Sequence, residues 1–118
     1  QWGALEKIMP KLENHASTGP FLQKNECELK LKYIQGLKAY HNQNSSAAIQ
    51  HCNWMLNNYH MEFDWLRGFA HFLRGKAYEN SGNYNLALKD YKEVLTMERC
   101  YPEVEEANQR IRLIHGNN

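Results

Sequence analysis

The histidines and cysteines are the residues of this sequence whose chemistry best suits metal binding or nucleophilic catalysis. The chain has six histidines and three cysteines among 118 residues. None of them lies in an HExxH motif or in the Cys/His spacing of a zinc site. His51 and Cys52 are neighbours, and on a helix successive side chains point about 100° apart, so they do not suit a nucleophile–base pair. With no glycine-rich phosphate loop either, the sequence predicts a non-enzymatic protein without metal or cofactor.

Composition and charge exclude several other classes. The net charge is +1, from 14 basic and 13 acidic residues, without a basic run. This argues against nucleic-acid binding, where contacts to phosphate dominate affinity. No apolar stretch approaches the roughly 18 residues of a membrane span. Cys27, Cys52 and Cys100 show no CxxC spacing, which predicts free thiols and a cytoplasmic location. Because the chain begins with Gln1, we expect it to be a piece of a longer protein.

Apolar residues at helical spacing run through most of the chain. Four stripes of this kind are separated by polar or Gly-containing breaks, and a fifth follows Pro102; the four lie within residues 29–40, 47–56, 63–78 and 86–95. No segment alternates with a period of two, so the sequence predicts an all-α fold. Ser45 or Ser46 is expected to cap the second helix.

The pattern occurs twice, at a constant offset along the chain. The offset that aligns Gly36 with Gly75 also aligns Ala48 with Ala87 and Met55 with Val94. A small residue in each of two successive helices allows those helices to approach closely, while large apolar residues fill the flanks. The sequence therefore predicts two helical hairpins of matched design.

The second hairpin, within "RGKAYENSGNYNLALKDYKEVL" at 74–95, resembles a tetratricopeptide repeat (TPR), a helix–turn–helix unit of about 34 residues. The family favours particular residue types at positions 8, 11, 15, 17, 20, 24 and 27, which here are Gly75, Tyr78, Gly82, Tyr84, Ala87, Tyr91 and Val94. The first copy keeps Gly36 and Ala48. It departs from the family pattern at the other positions, with Ala39, Gln43, Ser45, Cys52 and Met55.

The resemblance implies a TPR-like domain over residues 21–118. Its first repeat is expected at about 29–59, its second at about 68–101 and a capping helix at about 103–115. Since the offset between the copies is longer than one family repeat, extra residues are expected between them, near 57–64. An amphipathic N-terminal segment with Trp2, Leu5 and Ile8 lies within residues 1–20. It is expected either to pack against the repeats or to bind a partner.

The resemblance also implies where a ligand would bind. In the family, ligand-facing side chains come mostly from positions 2, 5, 9, 12 and 13 of the first helix of each repeat. Those positions form an aromatic and apolar strip with a few polar groups: Lys30, Tyr33, Leu37, Tyr40 and His41 from the first copy, and Phe69, Phe72, Lys76, Glu79 and Asn80 from the second. Such a strip would suit a peptide or an amphipathic helix, although some of its rings could instead be buried against a neighbouring helix.

These observations predict a non-catalytic protein–protein interaction module within an adaptor, co-chaperone or scaffold protein. Its partner is expected to be a protein or peptide, not nucleic acid or a membrane. A clamp for the C-terminal carboxylate of a chaperone is disfavoured, because Phe69 and Leu73 occupy two of its positions. Two alternatives remain: a homodimerising domain, or a regulatory domain of an enzyme whose catalytic part lies outside this chain.

Overall fold

The computed structural model describes residues 21–61, 65–97 and 101–117. Within these ranges the chain is helical, with no strand, so the all-α prediction is confirmed for the described part of the chain. The N-terminal segment singled out from the sequence lies outside the described residues. The helices are α1 (Phe21–His41), α2 (Ser45–Asn57), α3 (Trp65–Asn80), α4 (Tyr84–Leu95) and α5 (Tyr101–Asn117).

The start of α2 differs from the sequence prediction. Its N-cap is Asn44, whose side-chain oxygen accepts a 3.1 Å hydrogen bond from the backbone N–H of Ala47. The prediction that Ser45 or Ser46 caps this helix was therefore wrong. Asparagine caps as well as serine does, and the two serines lie in the first turn, where the backbone is already helical.

The helices form two layers. Each helix contacts the next one along the chain, α1 also contacts α3, and α3 also contacts α5. In contrast, α2 and α4 do not contact each other within the described structure. Helices that contact their second neighbours along the chain lie on the inside of a bend in the array. Helices without such contacts lie on the outside of the bend. We call the exposed side of α1, α3 and α5 the inner face.

Two apolar clusters hold the layers together. The first joins α1, α2 and α3 and includes Leu29, Met55, Leu66 and Ala70. The second joins α3, α4 and α5 and includes Phe72, Ala87, Tyr91, Val94, Ala107 and Ile114. The positions aligned between the two copies are buried in both: Gly36 with Gly75, Ala48 with Ala87, and Met55 with Val94. The sequence pattern thus identified the core positions of both hairpins.

The α1–α2 and α3–α4 turns have the same backbone conformation. Asn44 N–H donates to the carbonyl of Ala39 at 2.8 Å, and at the equivalent place in the second hairpin Asn83 N–H donates to that of Tyr78 at 2.8 Å. The preceding residue has positive φ in both turns, 65° at Gln43 and 78° at Gly82. Glycine takes this conformation freely, whereas a residue with a Cβ is strained in it. The sequence difference between Gln43 and Gly82 therefore did not change the turn.

We expect Gln43→Gly to stabilise the protein by about 0.5–1 kcal/mol. The left-handed conformation costs about 1–2 kcal/mol for a non-glycine residue, and the extra freedom of glycine in the unfolded chain offsets part of the gain. Gln43 is exposed, so no packing is lost. Chemical denaturation should show the gain. The reverse change Gly82→Gln should lower stability, because φ is 78° at this residue and an added Cβ would meet no neighbour within 4 Å whose contact could offset the strain. An unchanged or lower stability of Gln43→Gly would mean that the turn is not strained.

A buried asparagine fixes the segment that leaves α2. Asn25, only 4% exposed, donates from Nδ2 to the carbonyl of Asn58 at 2.8 Å. Its Oδ1 accepts from the backbone N–H of His60 at 3.1 Å. The side chain thereby replaces hydrogen bonds that the backbone loses where the helix ends. This contact ties the part of α1 ahead of the predicted first repeat to the hairpin.

Candidate functional site

Aromatic and cationic side chains join α1 to α3 along the inner face. Tyr33 on α1 stacks on Phe69 on α3, with ring centroids 5.4 Å apart. Trp65 meets the edge of the same Phe69 ring at 5.7 Å. Lys30 Nζ lies 5.6 Å from the Trp65 ring centroid and forms a 2.7 Å ion pair with Glu26. The three rings and Lys30 are half-buried, so each presents part of its surface to solvent.

Lys76 lies between two rings further along the inner face. Its Nζ is 4.9 Å from the ring centroid of Phe72 and 5.1 Å from that of Tyr40. Partial burial lowers its pKa below the ordinary lysine value; Glu106 and Glu103 on α5 act against this lowering, and Arg110 adds to it. The ammonium is therefore in a less polar setting than a surface lysine, and it lies over two aromatic rings.

Glu79 connects α3 to the other two helices of its cluster. Its Oε1 accepts a 2.7 Å hydrogen bond from the Tyr91 hydroxyl on α4. Its Oε2 lies 3.4 Å from Arg110 Nη1 on α5, and Arg110 Nε lies 3.7 Å from Glu106. Burial, followed by the bond to Glu79, raises the pKa of Tyr91, so the phenol stays neutral and keeps donating. Arg110 is thus shared by two carboxylates at the edge of the inner face.

The other predicted site residues differ in exposure. His41 and Asn80 are exposed at the C-terminal ends of α1 and α3, and Leu37 is half-buried on α1. Phe72 is 7% exposed and belongs to the core, with its ring centroid 5.9 Å from that of Tyr91. Its main role in the structure is packing. Replacing Phe72 would disturb the fold together with any site.

Sequence reasoning missed Trp65, Arg110 and Glu106 as parts of this face. The two charged residues belong to the predicted capping helix, yet Arg110 is half-buried and reaches back to Glu79. Helical periodicity identifies the apolar side of a helix. It does not show that a charged residue pairs with one 31 positions earlier in the chain.

A second polar group that sequence reasoning missed is buried between α2, α3 and α4. Asp90, 2% exposed, accepts from Arg74 twice, from Nε at 2.8 Å and from Nη2 at 2.7 Å. His71 Nδ1 also donates to Asp90, at 2.8 Å. Arg74 Nη1 donates to Asn53 Oδ1 at 2.8 Å, which completes the link to α2. The bond to Asp90 holds the pKa of Arg74 above its ordinary value, so the guanidinium stays charged.

The described thiols have the properties of packed side chains. Burial raises the pKa of Cys52 to about 12, and burial also raises the pKa of Cys27. A thiol reacts as its thiolate, so a raised pKa makes both weak nucleophiles at neutral pH. Over the described residues, no three His, Cys, Asp or Glu side chains are placed to hold a metal ion. The described part of the inner face presents partly exposed ring faces, the half-buried ammonium of Lys76 and ion pairs.

None of the described helices is both long enough and apolar enough to cross a membrane. Comparisons with protein-family models, with curated proteins and with solved structures found no match.

Proposed function

We propose that this chain is a non-catalytic interaction module of the TPR type, and that its inner face binds a peptide segment of a partner protein. Such a module would belong to an adaptor or scaffold. The observation that carries the proposal is the row of half-buried rings and lysines that α1 and α3 share, from Lys30 and Trp65 to Tyr40 and Lys76.

The repeat assignment is supported by the matched hairpins. Their turns have equivalent hydrogen bonds and equivalent positive φ at the same offset that aligns Gly36 with Gly75. In both hairpins the glycine of the first helix closely approaches a neighbour: Gly36 approaches Leu73 and His51, and Gly75 approaches Tyr91. Inner-layer helices that touch one another are also what a curved array of hairpins requires.

The binding role is supported by the composition of the inner face. Aromatic side chains bury a large area at little cost in conformational entropy, and they are frequent among the residues that dominate binding. Here the rings are held by neighbouring rings and lysines, so a ligand would meet a pre-arranged surface. Helix-in-groove recognition uses surfaces of this kind.

The test is selection of phage-displayed random peptides on the purified chain, followed by affinity measurement on variants. We expect Leu37→Gln, on the inner face, to weaken the selected peptides about 5-fold or more, which corresponds to about 1 kcal/mol. Leu86→Gln is the matched control, because Leu86 is 39% exposed on the outer helix α4. It should leave the affinity unchanged.

Two results would contradict the proposal. One is a selection that yields no binding peptide. The other is equal weakening by Leu37→Gln and Leu86→Gln, since a site on the inner face would not be sensitive to α4. Thermal melts of both variants would show whether a loss of affinity results from unfolding. Light scattering on the same samples would reveal a dimer that covers the inner face.

A further inference from the structure

Lys76 differs from the other charged residues of the inner face in its neighbours. Lys30 pairs with Glu26 at 2.7 Å, and Arg110 pairs with Glu79 at 3.4 Å and Glu106 at 3.7 Å. Within the described residues, no carboxylate oxygen lies within 4.0 Å of Lys76 Nζ, and its close neighbours are the Tyr40 and Phe72 rings. Lys76 is thus a half-buried cation of the inner face that forms no ion pair with any carboxylate of the described residues.

Two of the nearby carboxylates are already engaged, and Glu103, which also acts on Lys76, forms no ion pair with it within 4.0 Å. Glu79 accepts from Tyr91 and pairs with Arg110, and Glu106 shares that arginine. Aromatic faces compensate a desolvated ammonium only in part. A charge-assisted hydrogen bond to a carboxylate is stronger, and more so where rings exclude water. A ligand carboxylate placed beside Lys76 would form the charge-assisted hydrogen bond that no described carboxylate of the protein forms with it.

We propose that Lys76 recognises an acidic side chain of the bound peptide, so that the partner segment is amphipathic, with an Asp or Glu facing the Lys76 ammonium and an apolar residue facing Phe69 and Tyr33. This inference rests on the function proposed above. It names one residue as the determinant of partner specificity and one residue class as its target.

The positions of Phe69 and Lys76 also set the spacing within the partner. They are seven positions apart on α3, which is about 10 Å along the helix at a rise of about 1.5 Å per residue. A helical peptide would span this distance with an acid seven positions from its apolar anchor. An extended peptide would need about three residues, at roughly 3.3 Å each.

The test uses the phage-selected peptides, each also synthesised with its acidic residue changed to the matching amide. On the unmodified protein, the acid-to-amide change should weaken binding about 10-fold. In Lys76→Met the acid-to-amide change should weaken binding less than about 2-fold, because the ammonium that contacts the acid is absent. Lys89→Met, which removes an exposed lysine on α4, should behave like the unmodified protein.

A second variant should shift the preference in the opposite direction. Glu106 acts on Lys76 as a nearby negative charge, so a bound carboxylate is repelled by it. We expect Glu106→Gln to tighten the acidic peptides about 2-fold and to leave their amide forms unchanged.

The outcomes separate the two proposals. Two results would overturn only the proposal for Lys76. In the first, the selected peptides bind the inner face but have no acidic position. In the second, the acid-to-amide change still weakens binding about 10-fold in Lys76→Met. A selection without any binding peptide would overturn both proposals. An acidic preference that disappears in Lys76→Met and persists in Lys89→Met would support both.

Discussion

Replacing Arg74 with methionine should lower the free energy of unfolding by about 3 kcal/mol, the largest effect that we expect from one substitution. Arg74 makes two hydrogen bonds to Asp90 and one to Asn53. Methionine retains much of the apolar stem but leaves the 2% exposed carboxylate of Asp90 without the guanidinium, with the hydrogen bond from His71 remaining. An unpaired buried charge typically costs about 3–5 kcal/mol, and the partial exposure of Arg74 places this case at the low end.

Chemical denaturation would measure this loss. Arg112→Met is the control, because Arg112 is exposed on α5, and its effect should stay within about 0.5 kcal/mol. The double variant Arg74→Met with Asp90→Leu should be more stable than Arg74→Met alone, because removing both charges removes the unpaired one. Equal stability of Arg74→Met and Arg112→Met would show that the network does not hold α2, α3 and α4 together.

Gly75→Ala should destabilise the protein by about 1–3 kcal/mol, the cost of overpacking a filled core. A Cβ at this position would lie 2.7 Å from Tyr91 Cε1 and 2.9 Å from Cδ1. The ring has little room to move, because Tyr91 is 0% exposed and its hydroxyl donates to Glu79. Relief would require a shift between α3 and α4, which share the core cluster.

Gly116→Ala is the matched control, because an added Cβ there meets nothing within 4 Å. Alanine should be neutral or slightly stabilising at that helical site. A second check is the same Gly75→Ala change made in a Tyr91→Leu protein. Its additional cost should be smaller there, because the ring atoms that would clash are absent. If Gly75→Ala lowers stability as much in the Tyr91→Leu protein as in the unmodified protein, the strain does not come from the Tyr91 ring.

Much of the fold could be predicted from the sequence because helical periodicity reports burial directly. The stripe over 63–78 identified buried positions of α3 such as Leu66, Ala70 and Leu73, whereas the buried Phe72 was expected in the binding strip. The constant offset between the two copies aligned residues that are buried in both hairpins. The Gly-containing break at Gly82 indicated the end of one helix and the start of the next, but the positive φ of Gln43 was not predicted, because glutamine gives no local signal of that conformation.

The site was predicted less completely, because its contacts depend on side chains far apart in the chain. The approach of Lys76 to Tyr40 joins residues of different hairpins. The pairing of Arg110 with Glu79 joins the last helix to α3. The buried group around Asp90 places charged residues within an apolar stripe, and a hydrophobic pattern alone treats such positions as exposed.

The central claim is that the inner face binds a peptide, and backbone-amide NMR of the whole chain titrated with a selected peptide would test it most directly. We expect the largest chemical-shift changes on α1 and α3, centred on Tyr33, Tyr40, Phe69 and Lys76. Small changes are expected on α2 and α4, which form the outer layer. Changes that cluster on α2 and α4, with α1 and α3 unaffected, would contradict the account.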